Sequence, residues 1–343
     1  MDHPPAASGP VTIYSVAEQA GVSIATVSRV LSGQSPVSDT ARDKVLAAVR
    51  DLNYVPQNSA RSLASRRHHA YALVIGALTG PYYSELIMGF EEAATGYGQS
   101  VLLMVAGPRK DPLQDLAELR GRVDGVLVAH FSAPAQSLAE LGARLPVVAV
   151  GRDPIPGCDL VGSENAGSGA AITRHLISLG RTKLIYVGDP DGSTDVRDRY
   201  RGFVEAHREA GLRPRKATLR VPQTEEGGAS VVDRIHRRLA TIDGLVCAND
   251  ELALAIMDGL RRRGVVLPDQ LAVVGWDDVS AARYVVPGLT TVRQPVREMG
   301  RAAAELLQAR AEGAAPQQPR ILPTEAIIRE SCGAVPTGKR KRS

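Results

Sequence analysis

The chain has 343 residues, of which 44% are hydrophobic, so it can form more than one domain with large buried cores. No apolar stretch approaches the ~20 residues of a membrane span, residues 1–10 show neither the basic start nor the apolar run of an export signal, and the three cysteines lack metal-ligand spacing. We therefore expect a cytoplasmic protein with no membrane contact, no bound metal and no cofactor.

The net charge of +4 is a poor guide to nucleic-acid binding. The run KRKR at 339–342 supplies all of it, so residues 1–338 are formally neutral. The local distribution of charge is more informative, because no acidic residue lies between Asp51 and Glu85 and the bases there can neutralise phosphates. These bases are Arg61, Arg66, Arg67, His68 and His69.

Residues 1–10 are rich in Pro and Ala and are expected to be a disordered leader. Residues 12–33 then have the pattern of two short helices joined by a turn at Gly21, with Ser23 able to cap the second helix. The apolar inner faces comprise Val16, Ala17, Ala20, Val27, Val30 and Leu31. The outer face of the second helix carries Ile24, Ala25, Ser28 and Arg29. This pattern predicts a helix-turn-helix with a recognition helix for the major groove, and a generic helical hairpin is the alternative.

A third helix is predicted from a cap at Ser38 to about Leu52, and the sequence NYVP at 53–56 ends it. Residues 58–65 contain good helix formers but only about two turns, which is marginal for an isolated helix. Leu63 is the one large apolar residue there. This segment is either an inert linker or a helix that forms only on DNA, with Leu63 as a minor-groove wedge.

From residue 70 onward, strand and helix patterns alternate, which predicts parallel sheets with right-handed crossovers. The predicted strands are 72–78, 101–105, 125–129, 146–150, 183–187, 217–221, 244–247 and 271–275. The predicted helices are 84–98, 167–179, 199–210, 229–241, 251–263 and 295–311. The number of predicted strands is larger than one small sheet needs, so we expect two lobes. Residues 150–160 would cross from the first lobe to the second, and residues 290–292 and 320–322 would be return crossings.

Several polar residues follow the predicted strands, where ligands bind in such sheets. They are Tyr82, Tyr83, Arg152, Asp153, Asn249, Asp250, Asp277 and Asp278, with Arg199 at the predicted start of a helix. Each has a simpler explanation: Asn249 and Asp250 can be a helix cap, and Arg199 can be a solvated surface charge. Their shared position at strand ends favours a ligand site.

Two groups of short motifs occur in one order along the chain. The first comprises TIYSVA at 12–17, AGVS at 20–23, ATVSRVL at 25–31, YVP at 54–56 and ARSL at 60–63. The second comprises HLISLGR at 175–181, RYRGF at 199–203, CAND at 247–250, VVGWDD at 273–278 and LTTV at 289–292. With these motifs the chain resembles the lactose-repressor and purine-repressor (LacI) family over almost its whole length. The resemblance implies an α helix-turn-helix DNA-binding domain and an α/β two-lobed, periplasmic-binding-protein-like effector domain with parallel sheets.

The implied domains are a leader at 1–10, a helix-turn-helix domain at 11–57, a hinge helix and linker at 58–69, an effector-binding and dimerisation domain at 70–333 and a basic tail at 334–343. Lobe 1 of the effector domain would comprise about 70–155 and 293–322, and lobe 2 about 156–292 and 323–333. Some relatives end in a leucine heptad that joins dimers into tetramers. The sequence GAVPTGKRKRS after Cys332 has no heptads, which favours a dimer.

By the same resemblance, the chain binds a pseudo-palindromic double-stranded operator as a homodimer. Arg29 can bond guanine O6 and N7 together, whereas Ile24 and Ala25 offer only apolar contact to a thymine methyl. Other residues are implied to contact the phosphate backbone or to position the protein against it. They are Thr12, Tyr14, Ser23, Thr26 and Ser28. In the hinge, the implied DNA contacts are Asn58, Ala60 and Leu63.

The effector implied by the resemblance is a sugar or sugar derivative, contacted by Tyr82, Tyr83, Arg152, Arg199, Asn249 and Asp277. Arg152 and Arg199 together also allow an acidic or phosphorylated ligand. The main hypothesis is therefore a ligand-controlled transcription regulator of the repressor type. An extracytoplasmic solute-binding protein explains 70–333 but has no use for 12–63. A nucleotide-using enzyme is disfavoured because the glycine-rich stretch at 162–169 contains neither G-x-G-x-x-G nor lysine.

Overall fold

The computed structural model describes residues 11–32, 37–54, 67–78, 80–106, 118–119, 121–130, 133–213 and 218–334. The chain divides into two compact units, Met1–His68 and His69–Ser343. No helix within the described ranges has both the length and the apolarity that a bilayer crossing requires.

The first unit contains three helices, α1 (Ile13–Ala20), α2 (Ile24–Ser32) and α3 (Asp39–Asp51). Gly21 ends α1 with φ 63° and ψ 37°, a left-handed conformation in which glycine avoids a Cβ clash. The Ser38 hydroxyl accepts a hydrogen bond from the Ala41 N–H and caps α3. The small core consists of Val16, Ala17, Ala20, Val27, Val45 and Ala48. The predicted helix pair and third helix are therefore present.

A six-stranded parallel sheet forms the first lobe of the second unit, in the order β10-β5-β4-β3-β1-β2. Its strands are β1 (Ala70–Ile75), β2 (Ser100–Val105), β3 (Gly125–Ala129), β4 (Val147–Val150), β5 (Asp159–Ser163) and β10 (Arg320–Leu322). Both faces are covered, because alternate residues of β1 enter different cores: Leu73 packs in one and Val74 in the other. The helices of this lobe are α4 (Gly80–Gly96), α5 (Ala135–Gly142) and α10 (Val296–Ala311).

A three-stranded parallel sheet forms the second lobe, with β6 (Leu184–Val187), β7 (Gly244–Cys247) and β8 (Ala272–Val274). Its helices are α6 (Ala166–Ser178), α7 (Thr194–Glu209), α8 (Glu225–His236) and α9 (Asp250–Arg261). The short strands β9 (Thr291–Arg293) and β11 (Glu325–Ile327) form an antiparallel pair. In the predicted strand at 217–221, Leu219 makes only an isolated bridge with Val187.

The predicted crossover at 150–160 is wrong, and so is the start of lobe 2 at about 156. Val148–Val150 pairs in parallel with Asp159–Val161, so β5 belongs to the first sheet. The chain leaves that sheet after Ser163 and enters α6 at Ala166. The sequence was misleading because Pro154, Pro156 and Gly157 form a loop within one sheet rather than a link between lobes. Arg320–Leu322 does return to the first sheet beside β5, whereas the strand overlapping 290–292 pairs with β11.

The predicted start of a helix at Arg199 is also wrong. Helix α7 begins at Thr194, and the Ser193 hydroxyl caps it by accepting a hydrogen bond from the Val196 N–H at 3.3 Å. Arg199 lies in the second turn, where only 5% of it is exposed to solvent, so it is not a solvated surface charge. Gly169 and Gly202 let α6 and α7 approach closely, since a Cβ on Gly202 would lie 2.1 Å from the Ala166 carbonyl oxygen.

Candidate DNA-binding face and ligand cavity

The outer face of the helix pair is built by local contacts. The Ser23 hydroxyl accepts a hydrogen bond from the Thr26 N–H at 3.2 Å and starts α2. The Val22 N–H donates to the Ala17 carbonyl at 3.1 Å, which holds the turn between the two helices. Val27 is fully buried, and Val30 and Leu31 pack against the same core, so Ile24, Ala25, Ser28 and Arg29 are left on the outer face of α2.

The structure brings the predicted DNA contacts of the first unit onto this accessible surface. Tyr14 is 67% and Ile24 41% exposed. Thr26 is half-buried, and the other predicted contacts are exposed: Thr12, Ser23, Ala25, Ser28 and Arg29. Asn58, Ala60 and Leu63 lie outside the described residues, and their role stays a prediction.

A cavity of about 650 Å³ lies between the two lobes of the second unit. Its volume is in the range of small-molecule sites. All six predicted effector contacts line it: Tyr82, Tyr83, Arg152, Arg199, Asn249 and Asp277. Tyr82, Tyr83 and Arg152 come from the first lobe and the other three from the second lobe, so a bound ligand would touch both.

The first-lobe wall is an aromatic cluster of Tyr82, Tyr83 and His130. The Tyr82 and Tyr83 rings meet edge to face with centroids 5.5 Å apart, and the Tyr82 hydroxyl lies 3.2 Å from His130 Nε2. Gly151 makes room for this cluster, because a Cβ there would lie 2.3 Å from the His130 ring. Burial raises the pKa of Tyr82 well above its usual value and lowers the pKa of His130, so both are neutral hydrogen-bonding groups at pH 7.

Arg199 is held by neutral partners on the second-lobe side. Its Nε donates to Asn165 Oδ1 at 2.8 Å and its Nη1 donates to the Ala248 carbonyl at 2.7 Å. Asn249 caps α9, since its Oδ1 accepts from the Leu252 N–H, and it also lines the cavity. The two readings of Asn249, as a cap or as a cavity residue, are therefore compatible.

Asp277 is connected to the first sheet through one amide. The Gln294 Nε2 donates to Asp277 Oδ1 at 2.6 Å, and the Gln294 Oε1 accepts from the Ser163 hydroxyl at the end of β5. Burial is the largest influence on the pKa of Asp277 and raises it to about 6, although the Arg199 charge and the Gln294 bond act in the opposite direction. The backbone of Asp277 has φ 117°, a region that favours glycine and marks functional sites.

The neighbouring carboxylates Asp250 and Asp278 have structural roles instead. Asp250 is fully buried, with its two oxygens accepting from the Thr291 hydroxyl and the Val279 N–H. Asp278 forms ion pairs with Arg293 and Arg329 at 2.8 and 2.5 Å. Neither lines the cavity, so these two polar strand-end positions do not join the candidate site.

The mouth of the cavity carries an ion pair between the lobes. Arg197 on α7 bonds both carboxylate oxygens of Asp153, at 2.6 and 3.1 Å, and both side chains are at least half exposed. Burial lowers the pKa of Arg152 next to it. Asp153, which the strand-end pattern predicts as a ligand candidate, instead forms this ion pair with Arg197.

Sequence reasoning missed several polar residues that line the cavity, namely His130, Asp191, Asp195, Arg197, Gln223, Glu251 and Gln294. His130 directly follows β3, so the strand-end rule could have found it. Asp195 and Arg197 could have been found from the cap at Ser193. Gln294 gives no comparable signal, because only the folded chain brings it to Asp277.

Two family descriptions match the chain. The sequence family described as "Bacterial regulatory proteins, lacI family" matches residues 12–57, and a "Periplasmic binding protein-like domain" matches residues 173–332. The HTH-type transcriptional regulator DegA of Bacillus subtilis (strain 168) is 31% identical over 340 residues, covering 95% of this chain and 99% of DegA.

Two solved structures are similar across both units. The complex of the transcriptional regulator CelR with cellobiose has 31% identity and a TM-score of 0.71, with 94% of this chain and 99% of that chain covered. The Lac repressor dimer bound to operator and the anti-inducer ONPF has 26% identity and a TM-score of 0.83, with 95% of this chain and 100% of that chain covered. These similarities extend over both the helix-turn-helix and the two-lobed unit.

Proposed function

Since this chain belongs to the lacI family of bacterial regulatory proteins, we propose that it is a transcriptional repressor. Its affinity for operator DNA is controlled by a sugar that binds between its two lobes. The observation that carries this proposal is the presence, in one chain, of an exposed helix-turn-helix face and a polar cavity between two lobes. Binding as a homodimer to a pseudo-palindromic operator follows from the same premise, and the Lac repressor is a dimer in its operator complex.

For the DNA-binding unit, we propose that α2 enters the major groove. Arg29 then reads guanine, and Ile24 and Ala25 contact thymine methyl groups. The phosphate backbone would be contacted by residues of the first unit that are at least partly accessible, and these contacts would fix the position of α2. They are Thr12, Tyr14, Ser23, Thr26 and Ser28. The hinge assignment of 58–69 belongs to this proposal, with Asn58, Ala60 and Leu63 as its DNA contacts.

For the cavity, the hydrogen-bond inventory favours a ligand with adjacent hydroxyls. Arg199 uses Nε and Nη1 for neutral protein oxygens, which leaves Nη2 as a donor toward the cavity. Asp277 uses Oδ1 for Gln294, which leaves Oδ2 as an acceptor. A sugar hydroxyl can accept from one and donate to the other. The rings of Tyr82 and Tyr83 on the opposite wall can pack against the apolar face of a sugar ring.

The test is an anisotropy titration of the full-length chain with a duplex selected from a random pool. It is repeated with cellobiose, D-galactose, D-ribose and glucose 6-phosphate, the last to test a phosphorylated ligand at Arg152 and Arg199. We expect nanomolar-range binding to a palindromic sequence, shifted about 5- to 150-fold by one sugar, the usual range of allosteric coupling. Sequence-independent binding that no sugar alters would contradict the proposal.

A further inference from the structure

The environment of Arg199 is built to hold one orientation of its guanidinium group. Two hydrogen bonds, to Asn165 and to the Ala248 carbonyl, fix the edge that carries Nε and Nη1. Both acceptors are neutral. Among the described residues no carboxylate lies within 4.0 Å of this guanidinium, although it is only 5% exposed. The Asp277 carboxylate acts on this charge without a direct ion pair, so the close contacts that compensate its burial must come from other groups.

The indole ring of Trp276 lies under that guanidinium. The Arg199 Cζ atom is 4.5 Å from the centroid of the indole ring, within the range of a cation–π interaction. Trp276 follows β8, is 2% exposed and is the single tryptophan of the chain. Three contacts thus surround Arg199, two at its edge and one on its face.

The indole of Trp276 offers two features to its neighbours, an N–H donor and the face of its ring. Its Nε1–H is buried and has no hydrogen-bond acceptor among the described residues. A buried unpaired N–H destabilises a folded chain, and phenylalanine would fill much of the same space without that cost. Of the aromatic rings, indole is the one that binds cations most strongly. The position therefore uses the ring face toward Arg199 and not the N–H.

We propose that Trp276 is a positioning residue for the effector site: its ring face holds the Arg199 guanidinium so that Nη2 points into the cavity. The effect of Trp276 on effector affinity rests on the proposed function of the cavity, whereas the interaction between Trp276 and Arg199 does not. Trp276 itself does not line the cavity, so it acts on a ligand only through Arg199.

A double-mutant cycle on the full-length chain tests the interaction without any ligand. Urea unfolding compares Arg199→Met, Trp276→Leu and the double variant. It is followed by circular dichroism because two of these three variants lack tryptophan. We expect a coupling of about 3- to 30-fold in the unfolding equilibrium constant. Trp276→Phe replaces Trp276→Leu if the latter does not fold, and it should give a smaller coupling. Additive effects would overturn the proposal.

Arg197→Met is the matched control for that cycle. Arg197 lies two residues before Arg199 on the same helix, but its guanidinium is bonded to Asp153. Its cycle with Trp276→Leu should be additive. Equal coupling for Arg197 and Arg199 would show that the tryptophan merely supports the helix, and would also overturn the proposal.

Calorimetric titration with cellobiose, D-galactose and D-ribose then measures the effect on the site. Trp276→Phe should lower the affinity for whichever of these sugars binds the natural chain by about 3- to 10-fold. The midpoint of urea unfolding should stay close to that of the natural chain. Unchanged affinity, or a loss of affinity only in parallel with stability, would overturn the positioning role. If none of these sugars binds the natural chain, the proposed function has failed, and the ligand-free cycle still decides the interaction of Trp276 with Arg199.

Discussion

The helix-turn-helix face and the ligand cavity of this chain present their functional groups in opposite ways. The first carries exposed side chains, and the second carries buried side chains held by hydrogen bonds. On the DNA-binding face, Tyr14 and Ile24 project from a small core and are 67% and 41% exposed. In the cavity, Arg199 and Asn249 are 5% and 7% exposed, and the side chain of each makes two hydrogen bonds. Substitutions on the first surface should therefore change binding alone, whereas substitutions of Arg199 or Asn249 should change binding and stability together.

The largest effect is expected at Gly151, under the aromatic wall of the cavity. In Gly151→Ala the new Cβ would collide with the His130 ring at 2.3 Å, on a backbone with φ 71°. The free energy of unfolding should fall by ~1–2 kcal/mol from the backbone strain and by ~1–3 kcal/mol more from the clash. Urea denaturation measures the loss.

The matched control for Gly151 is Gly98→Ala. Gly98 also has φ 71°, but no atom lies within 4 Å of its would-be Cβ. It should lose only the strain component. If the two variants are equally destabilised, the close packing of His130 against Gly151 contributes nothing to stability.

On the DNA-binding face, Arg29→Ala should lower operator affinity by about 5- to 150-fold, the range for a lost bidentate contact to guanine. The midpoint of urea unfolding should change little, because Arg29 is exposed and contacts of exposed charges contribute little to stability. Anisotropy with the selected operator measures the affinity. Arg42→Ala is the control, since Arg42 is an exposed arginine on α3 with only a 3.8 Å ion pair to Asp39. Equal losses in the two variants would point to general charge rather than base recognition.

A pH titration examines the cavity at Asp277. Burial raises the pKa of this carboxyl to about 6, so it loses most of its charge between pH 7 and pH 5. The affinity for a neutral sugar should fall about tenfold over that interval, as a charged acceptor is lost. Asp277→Asn should bind more weakly than the natural chain at pH 7 and show a flatter profile. Identical pH profiles of the two proteins would exclude Asp277 as the titrating acceptor.

The same shift has an opposite consequence for folding. The pKa of Asp277 in the folded chain is about 6, above the value of 3.8 for an unperturbed aspartate. The folded state therefore binds more protons than the unfolded state between these values. The contribution of Asp277 to stability is present below about pH 4 and is lost as the pH rises through 6. Low pH thus favours the folded chain at this position while it weakens the site.

The smallest effect is expected at the ion pair that joins the lobes at the mouth. Asp153→Asn removes the bidentate bond with Arg197, whose two side chains are 63% and 50% exposed. Exposed pairs contribute ~0.2–1 kcal/mol, so the effector concentration for a half-maximal change in operator binding should shift by less than about fivefold. The shift should shrink in 0.5 M salt, where surface charges are screened. A salt-independent shift would show that the pair does not act electrostatically.

The two regions also differ in how well the sequence predicts them. The helix pair depends on contacts between near neighbours, such as the turn at Gly21 and the cap at Ser23, so its pattern can be recognised in twenty residues. The same locality explains why most of the predicted effector contacts line the cavity, since Tyr82, Arg152, Asn249 and Asp277 each follow a strand and carboxyl ends of parallel strands meet at one edge.

The errors arose where the outcome depends on contacts between distant segments. Asp159–Ser163 was placed in the wrong lobe because its partner strand, and not its own pattern, decides which sheet it joins. Gln294 was missed because it reaches Asp277 only after the chain has crossed between the lobes. Arg199 was placed at a helix start because the local cap at Ser193, six residues before it, was overlooked.

The Gln294 side chain joins the two lobes through one planar amide. Its oxygen accepts from the Ser163 hydroxyl on the first sheet, and its NH₂ donates to the Asp277 carboxylate. A reversed amide would turn its oxygen toward that carboxylate and lose the bond to Asp277, whereas the Ser163 hydroxyl could still accept from the NH₂. The direction of the amide is therefore set by the carboxylate and not by the serine. A ligand hydroxyl that takes Oδ1 of Asp277 would displace the amide, whereas one that takes Oδ2 would leave it in place.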